Sequence, residues 1–225
     1  FDFAYSWYSD SFTPWGGDDG GWAEGVAYWR GVYEHAIFQD ALLLLNDPAA
    51  YNSEFWKNTG YFQVYFVQPW RTTQFGDLSN AGKFNMEPSV KHFMNHLARV
   101  TQNGAFQSWA ELYADPRQLP TEKGLESINR NYPSSTEYLI RDFIASRIPK
   151  VESKSLSDLP QSRLFKDIGW VSMHSALGQP ESDIQLSFKS SPYGSYSHSH
   201  GDQNAYILNA WGKDLAINSG YREFH

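Results

Sequence analysis

The chain contains no cysteine. That excludes disulfide staples, thiolate nucleophiles and cysteine metal sites, while leaving the compartment open. It also lacks a long apolar run. No stretch reaches the ~18 residues needed for a membrane span, and Leu42 to Leu45 is only a buried helix patch. Positive charge is scarce: 18 Lys and Arg stand against 25 Asp and Glu, a net charge of -7. This argues against nucleic acid as the main partner, because phosphate binding needs clustered cations. A small anionic substrate is still compatible, since a local group of Arg and His can hold one carboxylate.

Aromatic side chains are abundant, at 17% of residues with 9 Trp and 14 Tyr. Trp and Tyr favour places with one apolar and one wet side. The excess therefore fits an aromatic core, or a cleft where flat rings stack on sugar faces. At 225 residues the chain can bury one large core or two unequal ones. It begins at Phe1 without Met and stops at His225, just after the apolar Leu215-Ala-Ile. We read it as a piece of a longer protein, with any signal peptide upstream.

The first two thirds read as helical. Asp18 or Asp19 can cap a helix from about Trp22 to Leu45, ended by Asn46-Asp47-Pro48. A second helical stretch starts at about Ser53, breaks near Gly60 and stops at Pro69. Residues 69–87 form a polar loop, and loops of that length are often functional. Pro88 begins a helix reaching about Gln102, closed by Asn103-Gly104. Further helices cover about 105–114 and 136–148. Such pairs suit a bundle or a ring of paired helices.

Val151 to Ser162 is polar and reads as a linker. Strand-like runs follow at Trp170–Leu177, Asp183–Lys189, Asn204–Trp211 and Asp214–Asn218, with Gly212 turning one hairpin. Ile184, Leu186 and Phe188 alternate with polar residues, as in a half-buried strand. The fold class is α+β, with helices first and an antiparallel sheet after them. The divisions are 1–150, the linker 151–162, and 163–225.

Two segments concentrate chemistry. Residues 193–204 hold Tyr193, Tyr196, His198, His200, Asp202 and Asn204. Imidazoles carry protons near neutral pH and bind metals. On a strand, the i, i+2 spacing of the two histidines would put both rings on one face. The second segment runs from Asp18 to Arg30. In a helix starting near Gly21, Glu24, Tyr28, Gly31 and His35 would share a face. Gly25 and Gly31 would each cost roughly 1 kcal/mol there, which points to close packing or ligand access.

The pattern Asp19-Gly-Gly-Trp-x-Glu-Gly-x-x-Tyr-Trp29 resembles the helical part of heparinase II/III-like polysaccharide lyases. Tyr193-Gly-Ser-Tyr-Ser-His-Ser-His-Gly-Asp-Gln-Asn204, followed by Leu215-Ala-Ile-Asn-Ser-Gly-Tyr221, resembles the first strands of their β-domain. The loop Gln68 to Asp77 is similar to the exo-oligoalginate lyase and exo-heparinase branch. This resemblance implies a partial (α/α) toroid followed by the start of an antiparallel β-sandwich, with the site between them. It implies β-elimination on an acidic, uronate-containing oligosaccharide, giving a C4–C5 unsaturated sugar, in a periplasmic or secreted bacterial setting.

Such a reaction needs donors that offset the uronate charge, a base for the C5 proton and an acid for the leaving oxygen. By position, Tyr28 matches the family's catalytic tyrosine, as acid or as combined acid and base. His198 matches its β-domain histidine, as base or charge neutraliser. Substrate contacts are expected from Glu24, Trp70, Arg71, Tyr193 and Asn204. The family's Asn-His pair would lie before Phe1.

No cofactor is required for this chemistry. Some relatives hold a structural zinc ion, for which His200 matches a ligand. Asn218 stands where those relatives have an aspartate, and Asp202 could compensate. His174 reads as a buried histidine, and Trp22 and Trp29 as core. Two rival readings are an inverting glycoside hydrolase using Asp19 and Glu24, with carboxylates roughly 6.5–9.5 Å apart, and a non-catalytic glycan-binding module.

Overall fold

Segments of helical period precede segments of strand period, and the folded chain follows that order. The computed structural model describes residues 2–11, 16–68, 71–72, 75–77, 88–112, 141–192 and 197–218. The helices are α1 (Asp2–Ser11), α2 (Gly31–Leu44), α3 (Glu54–Asn58), α4 (Gly60–Phe66), α5 (Pro88–Val100) and α6 (Gly104–Leu112). Residues 141–146 are also helical. A short hairpin, β1 (Val67–Gln68) and β2 (Arg71–Thr72), follows α4. An antiparallel sheet then runs in sequential order: β3 (Ser162–Phe165), β4 (Trp170–His174), β5 (Ile184–Lys189), β6 (Ala205–Ala210) and β7 (Lys213–Ala216). The expected α+β class is observed. The short β1, β2 and β3 and the terminal α1 lack the long periodic patterns that reveal elements in a sequence.

One expected element is shorter than its sequence suggests. A helix from Trp22 to Leu45 is predicted, but the α-helix begins only at Gly31, after a 3-10 turn over Tyr28–Arg30. Gly20 and Gly25 take left-handed backbone angles of φ 85 and 98, which end any right-handed helix. Asp19 does not cap a helix. Its carboxylate accepts the Gly21 N–H at 2.9 Å and the Asp167 N–H at 3.0 Å, tying this loop to the β3–β4 turn. Glu24, Tyr28, Gly31 and His35 therefore do not form one helical face. The break near Gly60 and the hairpin at Gly212 are observed. Trp211 and Gly212 both have positive φ, 52 and 69, and Ala210 pairs with Lys213 across the turn. Positive φ at both central residues matches the right-handed twist of the flanking strands.

Helices and sheet share an aromatic core. From α4, Phe62 meets Phe165 at 5.3 Å and Trp170 at 5.7 Å between ring centroids, while Phe75 meets Trp170 at 5.3 Å. Trp22, Trp29, Trp56, Trp109 and Trp170 are all buried, so much of the aromatic excess is core. Leu156, inside the segment read as a linker, is buried in the same cluster.

The middle strand of the sheet turns its polar side toward the helices. In β5 the buried residues are Gln185, Ser187 and Lys189, while Ile184 is 40% exposed and Leu186 and Phe188 are half-buried. The apolar side of the alternation is thus the more open one, opposite to the usual reading. A helix end explains it. The last carbonyls of a helix have no intrahelical partner. The Tyr65 carbonyl near the end of α4 accepts Ser172 Oγ at 2.8 Å and Gln185 Nε2 at 2.9 Å, with His174 Nε2 also at 2.9 Å. His174 Nδ1 meets Asp183 at 2.7 Å, so His174 is buried and satisfied.

A second buried polar centre joins the helices. Asp40 accepts the Tyr51 hydroxyl at 2.6 Å, meets His96 Nε2 at 2.8 Å and accepts Arg141 Nε at 3.2 Å. Burial pushes the Asp40 carboxyl up. Hydrogen bonds from His96 and Tyr51 and the nearby positive charge outweigh it, holding the group below its ordinary range. Asp40→Asn is expected to cost about 3–5 kcal/mol at pH 7, the range for breaking a buried ion pair. A depressed pKa stabilises the fold above the unfolded value near ~3.9 and loses that contribution as pH falls through the lower folded value. The difference between wild type and variant in urea unfolding should therefore shrink below about pH 4.

Candidate active site

Two tight loops place the helical half of the site. Trp22 Nε1 donates to Glu24 Oε2 at 3.2 Å and folds Glu24 into the core. The Trp29 N–H donates to the Gly25 carbonyl at 3.0 Å, opening the 3-10 turn that presents Tyr28. Gly25 has to be glycine: besides its positive φ, a Cβ there would lie 2.8 Å from the Phe75 carbonyl oxygen. Gly76, with φ 99, is pinched likewise, since its Cβ would lie 2.8 Å from the His198 carbonyl oxygen. These two glycines let the Glu24, Asp77 and His198 loops touch backbone to backbone.

Asp77 closes the contact. Its N–H donates to the His198 carbonyl at 3.0 Å. Its two carboxylate oxygens meet His198 Nδ1 at 2.8 Å and His200 Nε2 at 2.9 Å. The histidines lie in the β5–β6 loop, not on a strand, and both converge on this one carboxylate. A carboxylate only accepts, so Asp77 fixes the N–H on Nδ1 of His198 and leaves Nε2 as the edge for proton transfer. Burial raises the Asp77 pKa. Hydrogen bonds from His198 and His200, with their charge, outweigh burial and hold it below the ordinary carboxylate range.

Tyr28 stacks on His198, with ring centroids 3.5 Å apart and planes 3° from parallel. The family resemblance matches residues 28 and 198 to one site, and the fold brings the two rings into contact. Asp77 has no role in that match, although it ends the Gln68–Asp77 stretch that carries part of the resemblance.

The other expected site residues are less concentrated. Glu24 is buried and engaged by Trp22. Together with the capture of Asp19 by backbone N–H groups, this leaves the hydrolase pair committed to structure. Asn204 is exposed, and its Oδ1 accepts Ser190 Oγ at 3.2 Å. The Arg71 backbone lies in β2, opposite Gln68. Trp70 and Tyr193 lie outside the described residues.

The two positions matched to zinc ligands by the resemblance both have partners within the chain. His200 Nε2 faces Asp77, and Asn218 donates its amide N–H to Asp202. Asp202 in turn accepts Lys189 Nζ at 2.7 Å. Among the described residues no group of three or more His, Asp or Glu side chains is disposed to hold a metal ion.

Fold and site define an α+β chain whose helix-borne tyrosine meets a loop histidine of an antiparallel sheet. Residues 157–225 match the family described as "Heparinase II/III-like, C-terminal". That match covers the segment that holds the second of the two motifs, residues 193–204. The chain is similar in structure to heparan sulfate lyase HepC from Pedobacter heparinus, with TM-score 0.58 and 13% identity over 96% of this chain. A mutant of that lyase aligns with TM-score 0.52 and 11% identity over 100% of the chain. In both cases the chain spans 28% of the solved protein. No curated protein matches it.

Proposed function

We propose that this chain forms part of a polysaccharide lyase that cleaves uronate-containing oligosaccharides by β-elimination and acts from the chain end. The observation that carries the reading is the stack of Tyr28 on His198, with Asp77 orienting the imidazole. The substrate is an acidic oligosaccharide of alginate or heparin/heparan sulfate type, and the similarity to a heparan sulfate lyase favours the glycosaminoglycan. The setting is periplasmic or secreted. Among the described residues no helix is long and apolar enough to cross a membrane.

In this reading the C5 proton passes to a base, His198 Nε2 or the Tyr28 phenolate. The C5–H electrons form the C4=C5 bond as the C4–O4 bond breaks. The Tyr28 hydroxyl gives the leaving oxygen its proton. Where Tyr28 is both acid and base, His198 instead takes part as the imidazolium, keeping Nδ1–H on Asp77 and donating Nε2–H to the uronate carboxylate, where it offsets the growing charge. Neither route uses a metal or an organic cofactor.

The same proposal covers the architecture. Residues 1–150 belong to an (α/α) toroid, 151–162 link it onward, and 163–225 begin a β-sandwich. The open sheet face supports this: Leu164, Met173, Ile184 and Tyr206 are exposed on it. A contiguous apolar sheet face is normally covered by a second layer.

The test is an assay of the full-length protein on alginate and heparan sulfate oligosaccharides. Lysis gives an unsaturated, ultraviolet-absorbing product, released stepwise from one end. New reducing ends without new absorbance would show hydrolysis, and the lyase reading would fail.

A further inference from the structure

We propose that Lys189 is the cation that organises the His198 loop, so that this loop is set by a buried ammonium rather than by a bound metal. Lys189 sits on β5 with its side chain fully buried, 5.7 Å from the Trp170 ring centroid. Its Nζ donates to Ser199 Oγ at 3.0 Å, to Asp202 Oδ1 at 2.7 Å and to the His200 carbonyl. An ammonium has three hydrogens, and three oxygens receive them. A buried charge persists only when paired and hydrogen-bonded, and both conditions hold here.

The three acceptors lie at residues 199, 200 and 202, directly after His198. Asn218 takes the second oxygen of Asp202. Lys189 therefore grips the loop from the sheet side, while Asp77 grips its imidazoles from the helical side. The Asp202 oxygen that a divalent cation could use is already held by a positive group, and the other by the Asn218 amide. A metal would have to displace that ammonium and break its pairing with Asp202. Lys189 is thus a positioning residue: it acts on the reaction only through the loop.

This inference rests on the reading that His198 faces the substrate, and the experiment separates the two. Full-length wild type, Lys189→Met and Lys189→Arg are compared by steady-state kinetics, thermal unfolding with and without chelator, and elemental analysis. Wild type should carry no stoichiometric metal, and its Tm should not move with chelator. K189M should lose up to about 10²-fold in kcat, the scale for a small misplacement of a reacting group, with KM little changed. K189R, which keeps the charge, should recover part of the loss. One metal per chain that disappears in His200→Ala would overturn the proposal, as would K189M with wild-type kcat and Tm. Should K189M fail to fold, metal content and chelator response of wild type still decide. If wild type cleaves no uronate oligosaccharide, the lyase reading fails, whereas metal content and unfolding still judge Lys189.

Discussion

Tyr28→Phe is expected to lower kcat of the full-length protein on its uronate substrate by about 10²–10⁴-fold, the usual contribution of a positioned acid or base. Phenylalanine keeps the ring that lies 3.5 Å from His198, so stacking and loop packing survive. Only the hydroxyl is lost, and with it the proton for the leaving oxygen. Substrate binding by calorimetry and Tm should stay near wild type while absorbance-based turnover collapses. A kcat within a few-fold of wild type would remove Tyr28 from the chemistry. A glycan-binding module would bind equally in both proteins, with no turnover to lose.

Asp77→Asn should act through orientation instead. The wild-type carboxylate accepts from both His198 Nδ1 and His200 Nε2. An amide has one accepting oxygen and one donating nitrogen, so one histidine would face a donor and turn away. The expected loss in kcat is up to about 10²-fold, the scale for a small misplacement of a reacting group.

The pH dependence follows from the lowered Asp77 pKa. A depressed folded-state value gives stabilisation that is complete above the unfolded value near ~3.9 and is lost as pH falls through the folded value. Melting curves of wild type and D77N should differ most at neutral pH and converge in acid below about pH 4. A gap that stays constant down to strongly acidic pH would show that the carboxylate charge is not what holds the histidines.

Much of the architecture could be read locally. The helical break at Gly60, the Pro88 start of α5 and the Gly212 hairpin each depend on backbone preferences of one or two residues. The over-long helix from Trp22 shows the limit of that approach. Its apolar spacing suits a helix, but Gly20 and Gly25 take left-handed angles because neighbouring loops must pack against them.

The site divides in the same way. Tyr28 and His198 stand out because the motifs around them resemble those of the heparinase II/III-like lyases. Asp77 is a single aspartate in a polar loop, and Lys189 is a polar position in an alternating strand. Each gains meaning only from partners brought in by the fold. Asp77 reaches a histidine 121 residues away, and Lys189 holds a loop 10 to 13 residues along the chain.

By itself, then, the sequence determined the α+β order, because short-range periodicity encodes it, and its motifs pointed to the two rings of the candidate site through their family resemblance. Which side of the sheet is buried, and which charges hold the histidines, was decided by tertiary structure. Strand alternation separates two faces without saying which one meets a helix end. Here the Tyr65 carbonyl near the end of α4 draws the polar side of β4 and β5 inward, and that choice carries Lys189 inward beneath the His198 loop.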